Sequence, residues 1–437
     1  MFKTLRDAFK VKEIRMGLLF TFFVLIVIRF GSLIPVPGLN TVAIKEYLES
    51  ALGDANSFLS SFTGGSFTQM SIFALNVTPY ITSSIIIQLL TIAIPALEEM
   101  QKDGEDGRKK ITAITRYVTI FLAVIESLGL VIGFDRGHYM TVTGPLGYLL
   151  VIITLTTGSA FVMWLGERVT EKGVGNGISI ILLINIVSRM PSDFSDLYTK
   201  FMKGQDIVDQ VIAGAIILAV ILVTTILVVL LQGGVRKIPV QHAQKVQGRR
   251  MMGGQQSHIP LKVNTSSVIP VIFASSILSV PMVVVNLFNI NTSGVWAKIL
   301  RGMNSNYWFN PAYPWASVGL IIYILLVVFF AYFYTSVTFN PMEVANNLKK
   351  SGGFIPGIRP GKPTSDYLTS VLNKIIFIGV IGLIVVALIP IVFSGLFNAN
   401  VSFGGTSIII VVGVVIETLK QIESQMRVRY YKGFLDD

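Results

Sequence analysis

VIAGAIILAVILVTTILVVLL, residues 211–231, carries no charge and runs directly into the basic stretch that begins Gly233-Gly234-Val235-Arg236-Lys237. A hydrocarbon core ~30 Å thick needs ~20 helical residues. Backbone inside lipid must also satisfy its own hydrogen bonds, so a helix is the only fitting reading. The stretch lies in a run at 210–231, and nine similar runs lie near 16–37, 71–95, 111–133, 146–167, 174–190, 264–289, 315–338, 369–393 and 403–426. Their loops alternate in charge. With the N-terminus in the cytoplasm, seven of the 35 Lys and Arg fall outside: Lys45, Arg136, Arg189, Lys200, Lys203, Lys298 and Arg301. Arg29 lies within the first run, and the other 27 are cytoplasmic. That asymmetry is the positive-inside signal. It predicts an all-α polytopic membrane protein with ten transmembrane helices and both termini in the cytoplasm.

Composition narrows the function. Hydrophobic residues make up 52% and charged residues 14%, against ~25% charged in soluble domains. The net charge of +11 predicts contact with anionic lipid headgroups or an acidic cytoplasmic partner. Cysteine is absent, which excludes disulfides, thiol nucleophiles and cysteine metal sites. His138, His242 and His258 are too scattered for a metal or proton-relay centre. Met1 to Arg15 is basic and amphipathic, but the apolar run after it is too long for a signal peptide, so the first span is expected to stay in the mature protein. Two glycine-rich stretches resemble phosphate loops. Gly173-Val174-Gly175-Asn176-Gly177 lacks the third glycine of a dinucleotide fingerprint, and Pro363 follows Gly361-Lys362 where a Walker motif needs Ser or Thr. Both read as turns. The sequence therefore offers no catalytic residues, no cofactor and no metal.

Five spans precede the polar stretch 191–209 and five follow it, which suggests an N-terminal half (1–205) and a C-terminal half (206–437) of opposite orientation. Short matches support the repeat. Pro79-x-Ile81-x-x-Ser84 recurs as Pro270-x-Ile272-x-x-Ser275, and Gly177-x-Ser179-Ile180-Ile181-Leu182 recurs as Gly405-x-Ser407-Ile408-Ile409-Ile410. An inverted repeat places the functional site near the midplane, between the halves.

A carrier of small polar solutes puts ionisable groups there. These spans hold few: Arg29, Glu126, and Glu417 with Glu423 toward the end of the tenth. Arg29 is expected to snorkel or to pair with a helix end, and Glu126 to be a packing group. The repeated positions are aliphatic instead, and Val77, Ile81 and Gln88 are spaced to share one helix face. Residues 56–70, with Gly64-Gly65 inside, are too short and polar to cross a bilayer. They read either as irregular backbone held inside protein or as a surface loop. Residues alone leave two functions open, a channel with an aliphatic constriction and an inverted-repeat secondary transporter of a small solute.

Several motifs in order separate the two. They are Ser71-Ile72-Phe73-Ala74-Leu75, Pro79-Tyr80-Ile81 with Gln88, Gly175-Asn176-Gly177-Ile178-Ser179 and Gln247-Gly248-Arg249-Arg250. Pro260-Leu261-Lys262-Val263-Asn264, Asn347-Leu348-Lys349-Lys350-Ser351-Gly352, Gly357-Ile358-Arg359-Pro360-Gly361 and Phe403-Gly404-Gly405-Thr406-Ser407 follow. Over essentially its whole length the chain resembles the SecY/Sec61-alpha family of protein-conducting translocon channels. The resemblance implies a passive channel in the bacterial cytoplasmic membrane, which moves unfolded preproteins across and releases membrane segments laterally. It implies a pore ring of Val77, Ile81, Ile178, Leu182, Ile272 and Ile410; Val77 and Leu182 depart from the family's isoleucines. It implies a plug half-helix near 56–69, with Asn56, Phe58, Phe62, Gly64, Gly65 and Phe67. Gln88 and Asn264 would be lateral-gate residues. Arg236, Lys237, Arg249, Arg250 and Arg359 would dock the SecA ATPase or the ribosome and its RNA. SecE-like and SecG-like small subunits, signal sequences, preproteins and anionic lipids are the other implied partners.

Overall fold

The computed structural model describes residues 9–51, 63–201, 206–242, 246–247, 250–251, 257–265, 269–287, 294–303, 307–308, 313–397 and 405–432. Helices dominate. They are α1 (Lys12–Gly31), α2 (Thr41–Ala51), α3 (Thr78–Ala93), α4 (Pro95–Lys102), α5 (Gly104–Arg136), α6 (Pro145–Lys172), α7 (Gly177–Phe201) and α8 (Ile207–Gly233). After four strands come α9 (Ile269–Leu287), α10 (Val295–Met303), α11 (Val318–Thr338), α12 (Pro341–Lys350), α13 (Lys362–Phe397) and α14 (Gly405–Lys432). Each of the ten apolar runs contains a helix. Among the described residues seven helices are long and apolar enough to cross a membrane, and α3 with α4 forms an eighth, bent candidate. This is a multi-pass membrane protein.

The stretch 211–231 shows why. On α8, Val211, Leu218, Leu222 and Leu230 are exposed, while Thr224 and Val228 are buried. A helix bare and apolar over most of its circumference matches lipid, not water. The run at 71–95 is not one straight helix, however. Residues 71–77 are turns, α3 starts at Thr78, and α3 and α4 meet at 107°. Pro95 causes the second break, because the residue before proline is pushed out of the α region. Ile94 is extended, at φ −112° and ψ 110°.

The repeated motifs fall at equivalent places. Thr78-Pro79 opens α3 and Ile269-Pro270 opens α9, while Gly177 opens α7 and Gly405 opens α14. At the end of the molecule carrying the basic loops, the chain departs from an all-helical reading. Strand β1 (Val235–His242) pairs antiparallel with β4 (Ser257–Lys262) and with β5 (Gly353–Phe354), so the two long basic loops share one sheet. A two-stranded hairpin, β2 (Val246–Gln247) with β3 (Arg250–Met251), lies between β1 and β4. Ile238 and Val240 point inward and join Leu261, Ile355, Leu368 and Ile375, whereas Arg236, Lys237 and Pro239 are exposed. That period-two alternation marks a half-buried strand.

Close helix contacts hold the opposite end. Ring atoms of Phe73 occupy the space a Cβ at Gly31 would need, and a Cβ at Gly158 of α6 would lie 1.9 Å from the Ile72 carbonyl oxygen. Replacing Gly158 by Leu should cost about 1–3 kcal/mol through overpacking and lower the melting temperature of the solubilised protein. Gly129→Leu, at a helix position with nothing within 4 Å, should melt close to the parent. Equal melting of the two variants would show that this contact is dispensable.

Candidate functional site

A cavity of about 810 Å³ opens among α3, α5, α6, α7, α9 and α14. Its mouth is charged, with Arg116, Glu167, Glu171, Lys262, Glu417 and Lys420. Arg116 Nε donates to Glu167 Oε1 at 2.8 Å across α5 and α6. Its inner end is aliphatic, with Ile81, Leu182, Ile272 and Ile410. Ile410 and Lys420 are ten residues apart on α14, so about 15 Å separates inner end from mouth.

All six residues expected at the pore ring join one apolar cluster. Val77, only 1% exposed, lies beyond the cavity's inner end. It precedes the first turn of α3, and its carbonyl accepts from the Ile81 N–H at 2.9 Å. Ile178 lines the same cavity as Ile81, Leu182, Ile272 and Ile410. A Cβ on Gly166 would lie 2.5 Å from Ile178 Cδ1, so this side chain fills the notch over α6, beside Glu167. The N–H of the preceding Gly177 bonds Thr170 Oγ1 at 2.9 Å. One turn deeper on α7 comes Leu182, and another turn deeper Ile186, which is buried in the same cluster. Ile186 did not stand out in the sequence because the repeated motif stops at Leu182; the four-residue step from Leu182 is the signal that could have found it.

The segment read as a plug lies directly beyond. Asn56, Phe58 and Phe62 fall outside the described residues. Thr63 is helical and Gly64 to Met70 are turns that follow it, because Gly64 and Gly65 sit at φ +65° and +85°. All of this segment but Gln69 is buried, and Phe67 packs with Val36, Ile44, Leu130 and Phe134. Polar groups fasten the backbone. Arg29 Nη1 donates to the Gly64 carbonyl at 3.3 Å, so this arginine points inward and does not snorkel. Asn76 Nδ2 donates to the Thr63 carbonyl at 3.4 Å, while Asn76 Oδ1 accepts from Val77 N–H at 2.9 Å. Ser159 Oγ donates to the Asn76 carbonyl at 2.9 Å. Asn76 adopts φ +49°, a conformation that asparagine tolerates better than most residues. A Cβ on Gly64 would lie 2.9 Å from Asn185 Cα, and one on Gly65 3.7 Å from Arg189 Cδ. Along α7, then, Ile178, Leu182, Ile186 and Arg189 follow at steps of four, four and three residues, the last beside Gly65.

The two expected gate residues both line the cavity. Gln88 is exposed on α3. Asn264, after β4, is 4% exposed, and neither its Oδ1 nor its Nδ2 has a hydrogen-bond partner. Gln88 belongs to α3 and Asn264 precedes α9, and α9 packs on α5. Of the expected docking residues, Arg236 and Lys237 are exposed on β1, and Arg250 lies on the β2–β3 hairpin. Arg249 lies outside the described residues. Arg359 is exposed between Gly357 and Gly361, at φ +81° and +103°, and its carbonyl accepts from Thr364 Oγ1 at 2.8 Å.

Known proteins share this sequence and fold. The SecY family model matches residues 71–419. The chain is 43% identical over 449 residues to the protein translocase subunit SecY of Streptomyces lividans, covering 100% of both chains. It is 43% identical over 444 residues to that of Bacillus subtilis, again covering 100% of both. Its fold is similar to the solved structure of a protein-conducting channel, with TM-score 0.62 and 19% identity over 95% of this chain and 94% of that one. Sec61 in the canine ribosome–channel complex gives TM-score 0.59 and 17% identity over 95% and 94%. No relative among these is a solute transporter. With its sequence matched from end to end and its fold shared, the chain belongs to the SecY family.

Proposed function

We propose that this chain is the passive channel subunit of a protein translocase, which conducts unfolded polypeptides and releases apolar segments sideways into lipid. The observation that carries the reading is the sequence of layers along one axis: a charged mouth, an aliphatic constriction and a buried, hydrogen-bonded cap. An aliphatic layer offers an ion no ligand and sheds water. It also makes no directional bonds, so it can widen around any side chain. The waist is then Val77, Ile81, Leu182, Ile186, Ile272 and Ile410, with Ile178 forming part of the mouth. Thr63 to Met70, with the residues before it, is the plug. The halves 1–205 and 206–437 part along the seam that Gln88 and Asn264 border. Arg236, Lys237, Arg249, Arg250 and Arg359 meet the driving partner, a SecA-type ATPase or a ribosome; the structural likeness to Sec61 in a ribosome–channel complex supports the ribosome. Small SecE-like and SecG-like subunits complete the complex. The membrane is the bacterial cytoplasmic one, with anionic lipid against the basic face and both termini inside.

The waist generates the main test. Ile81→Gly with Ile410→Gly removes two apolar walls and should raise resting ion conductance in planar bilayers severalfold, since hydrophobic gating depends on bore. Ile178→Gly, at the mouth, should raise it far less. Unchanged conductance in the double variant would sink the assignment of the waist, and equal effects would sink the exclusion of Ile178.

The gate pair gives a second. Burying an unbonded amide costs about 1–3 kcal/mol, so Asn264→Leu should stabilise the closed seam, and Gln88→Leu should add to it. Weakly hydrophobic signal sequences should then be exported several times less efficiently, and strong ones nearly normally. Equal loss for both classes would point to misfolding.

Arg359 gives a third. Its exposed guanidinium can grip a carboxylate or phosphate in two-pronged fashion, which an ammonium cannot copy. Arg359→Glu should keep the parent melting temperature yet nearly abolish ATPase-driven translocation into proteoliposomes, with Arg359→Lys intermediate. A melting loss that tracks the activity loss would make the residue structural.

A further inference from the structure

Helix α10 follows α9 and precedes α11, on the face away from the β1–β4–β5 sheet, and none of the layers above uses it. Its sequence, VWAKILRGM, is amphipathic. At 100° per residue, Val295, Ile299, Met303, Trp296 and Leu300 fall within one arc of about 140°, and Lys298 and Arg301 fall opposite. Met303, in the middle of that arc at the C-terminal end of the helix, packs against the main apolar cluster. Toward the N-terminal end the arc is bare, with Val295 72%, Trp296 68% and Ile299 43% exposed.

Contacts fix both the helix and its depth. A Cβ on Gly319, in the first turn of α11, would lie 1.7 Å from the Gly302 carbonyl, so α10 ends level with the start of that span. Trp308 Nε1 donates to the same Gly302 carbonyl at 2.7 Å. From there, α11 presents Val318, Ile321, Ile322 and Leu325 outward, as a lipid-facing helix does. Aromatic rings gather at the same level. Tyr313 meets Tyr307 edge-on at 5.6 Å and Trp315 at 6.5 Å, and the Arg301 guanidinium stacks 5.5 Å over Tyr313. Tryptophan and tyrosine concentrate at the boundary between headgroups and acyl chains. A short helix with a bare apolar arc flanked by cations has the composition of one lying in that boundary.

We infer that α10 is an interfacial helix. It lies flat in the leaflet opposite the basic loops, with Val295, Trp296 and Ile299 among the upper acyl chains and Lys298 directed at anionic headgroups. This role requires only that α11 spans the membrane; it does not depend on the channel assignment. It anchors the link between α9 and α11, so that α9 moves with one end tied to the lipid surface.

Because the chain lacks cysteine, single labels can test this. Ile299→Cys, Val295→Cys and Lys298→Cys, each in the full complex, are labelled with an environment-sensitive dye. The complexes are reconstituted into vesicles of phosphatidylcholine and phosphatidylglycerol. Dyes at 295 and 299 should be quenched by lipids carrying a nitroxide near the headgroup, with an iodide-quenching constant about threefold smaller than at 298. Comparable iodide quenching at all three sites would put the helix in water and overturn the inference. Shielding of 295 and 299 from both iodide and nitroxide lipid would mean that a protein partner covers the face, and would overturn it equally.

Discussion

Backbone amides at membrane depth have no water to bond, and this one constraint organises the molecule. Where the chain is helical it satisfies itself, and α8 can lie bare against lipid on most sides. Where it is not, between Thr63 and Val77, it must be buried in protein and bonded by it. Arg29, Asn76 and Ser159 do this with side chains from three places in the sequence. The glycine contacts at Gly31 and Gly158 serve the same purpose, because they let helices approach closely enough to enclose the irregular segment.

Enclosure by a few weak hydrogen bonds also suits the plug role proposed above, in which the segment leaves. The contacts of Arg29 to Gly64 and of Asn76 to Thr63 are 3.3 and 3.4 Å, long for their type. Phe67 supplies apolar anchoring, which is non-directional and reforms wherever the ring finds similar surroundings. The aliphatic layer above the cap follows the same logic. Nothing in Ile81, Leu182, Ile272 or Ile410 needs a partner, so separating them breaks no hydrogen bond.

The buried amide of Asn264 runs against this economy. An unbonded side chain in a protein interior is costly, and here it precedes α9, which packs on α5. In the gate role proposed for it, an amide left unsatisfied when closed favours an open arrangement in which water or a peptide can reach it. At the opposite extreme, Arg359 sits on a backbone fixed by two positive-φ glycines and by Thr364. Its side chain is exposed, as suits the docking role proposed for it.

Much of this was legible in the chain. Ten apolar runs, the charge asymmetry and the paired motifs led to the helices, the membrane and the repeat, because run length, lipid thickness and charge bias are local quantities. Ile81, Leu182, Ile272 and Ile410 came from the family resemblance, and the repeat puts them at matching helix starts. Other features depend on contacts between distant residues and could only be read in three dimensions. Ile178 and Leu182 are one turn apart and equally apolar, yet only the fold shows that the first fills the notch over Gly166 on another helix. For Arg29 the residues left open snorkelling or pairing with a helix end, and only the fold brings it to the Gly64 carbonyl, 35 positions away, just past helical Thr63. The sheet was hidden because β1 and β5 come from loops more than a hundred residues apart, and a strand's partner is not written in its own sequence. Periodicity assigns a residue to a face of its own helix; what that face meets is decided by how the other helices pack.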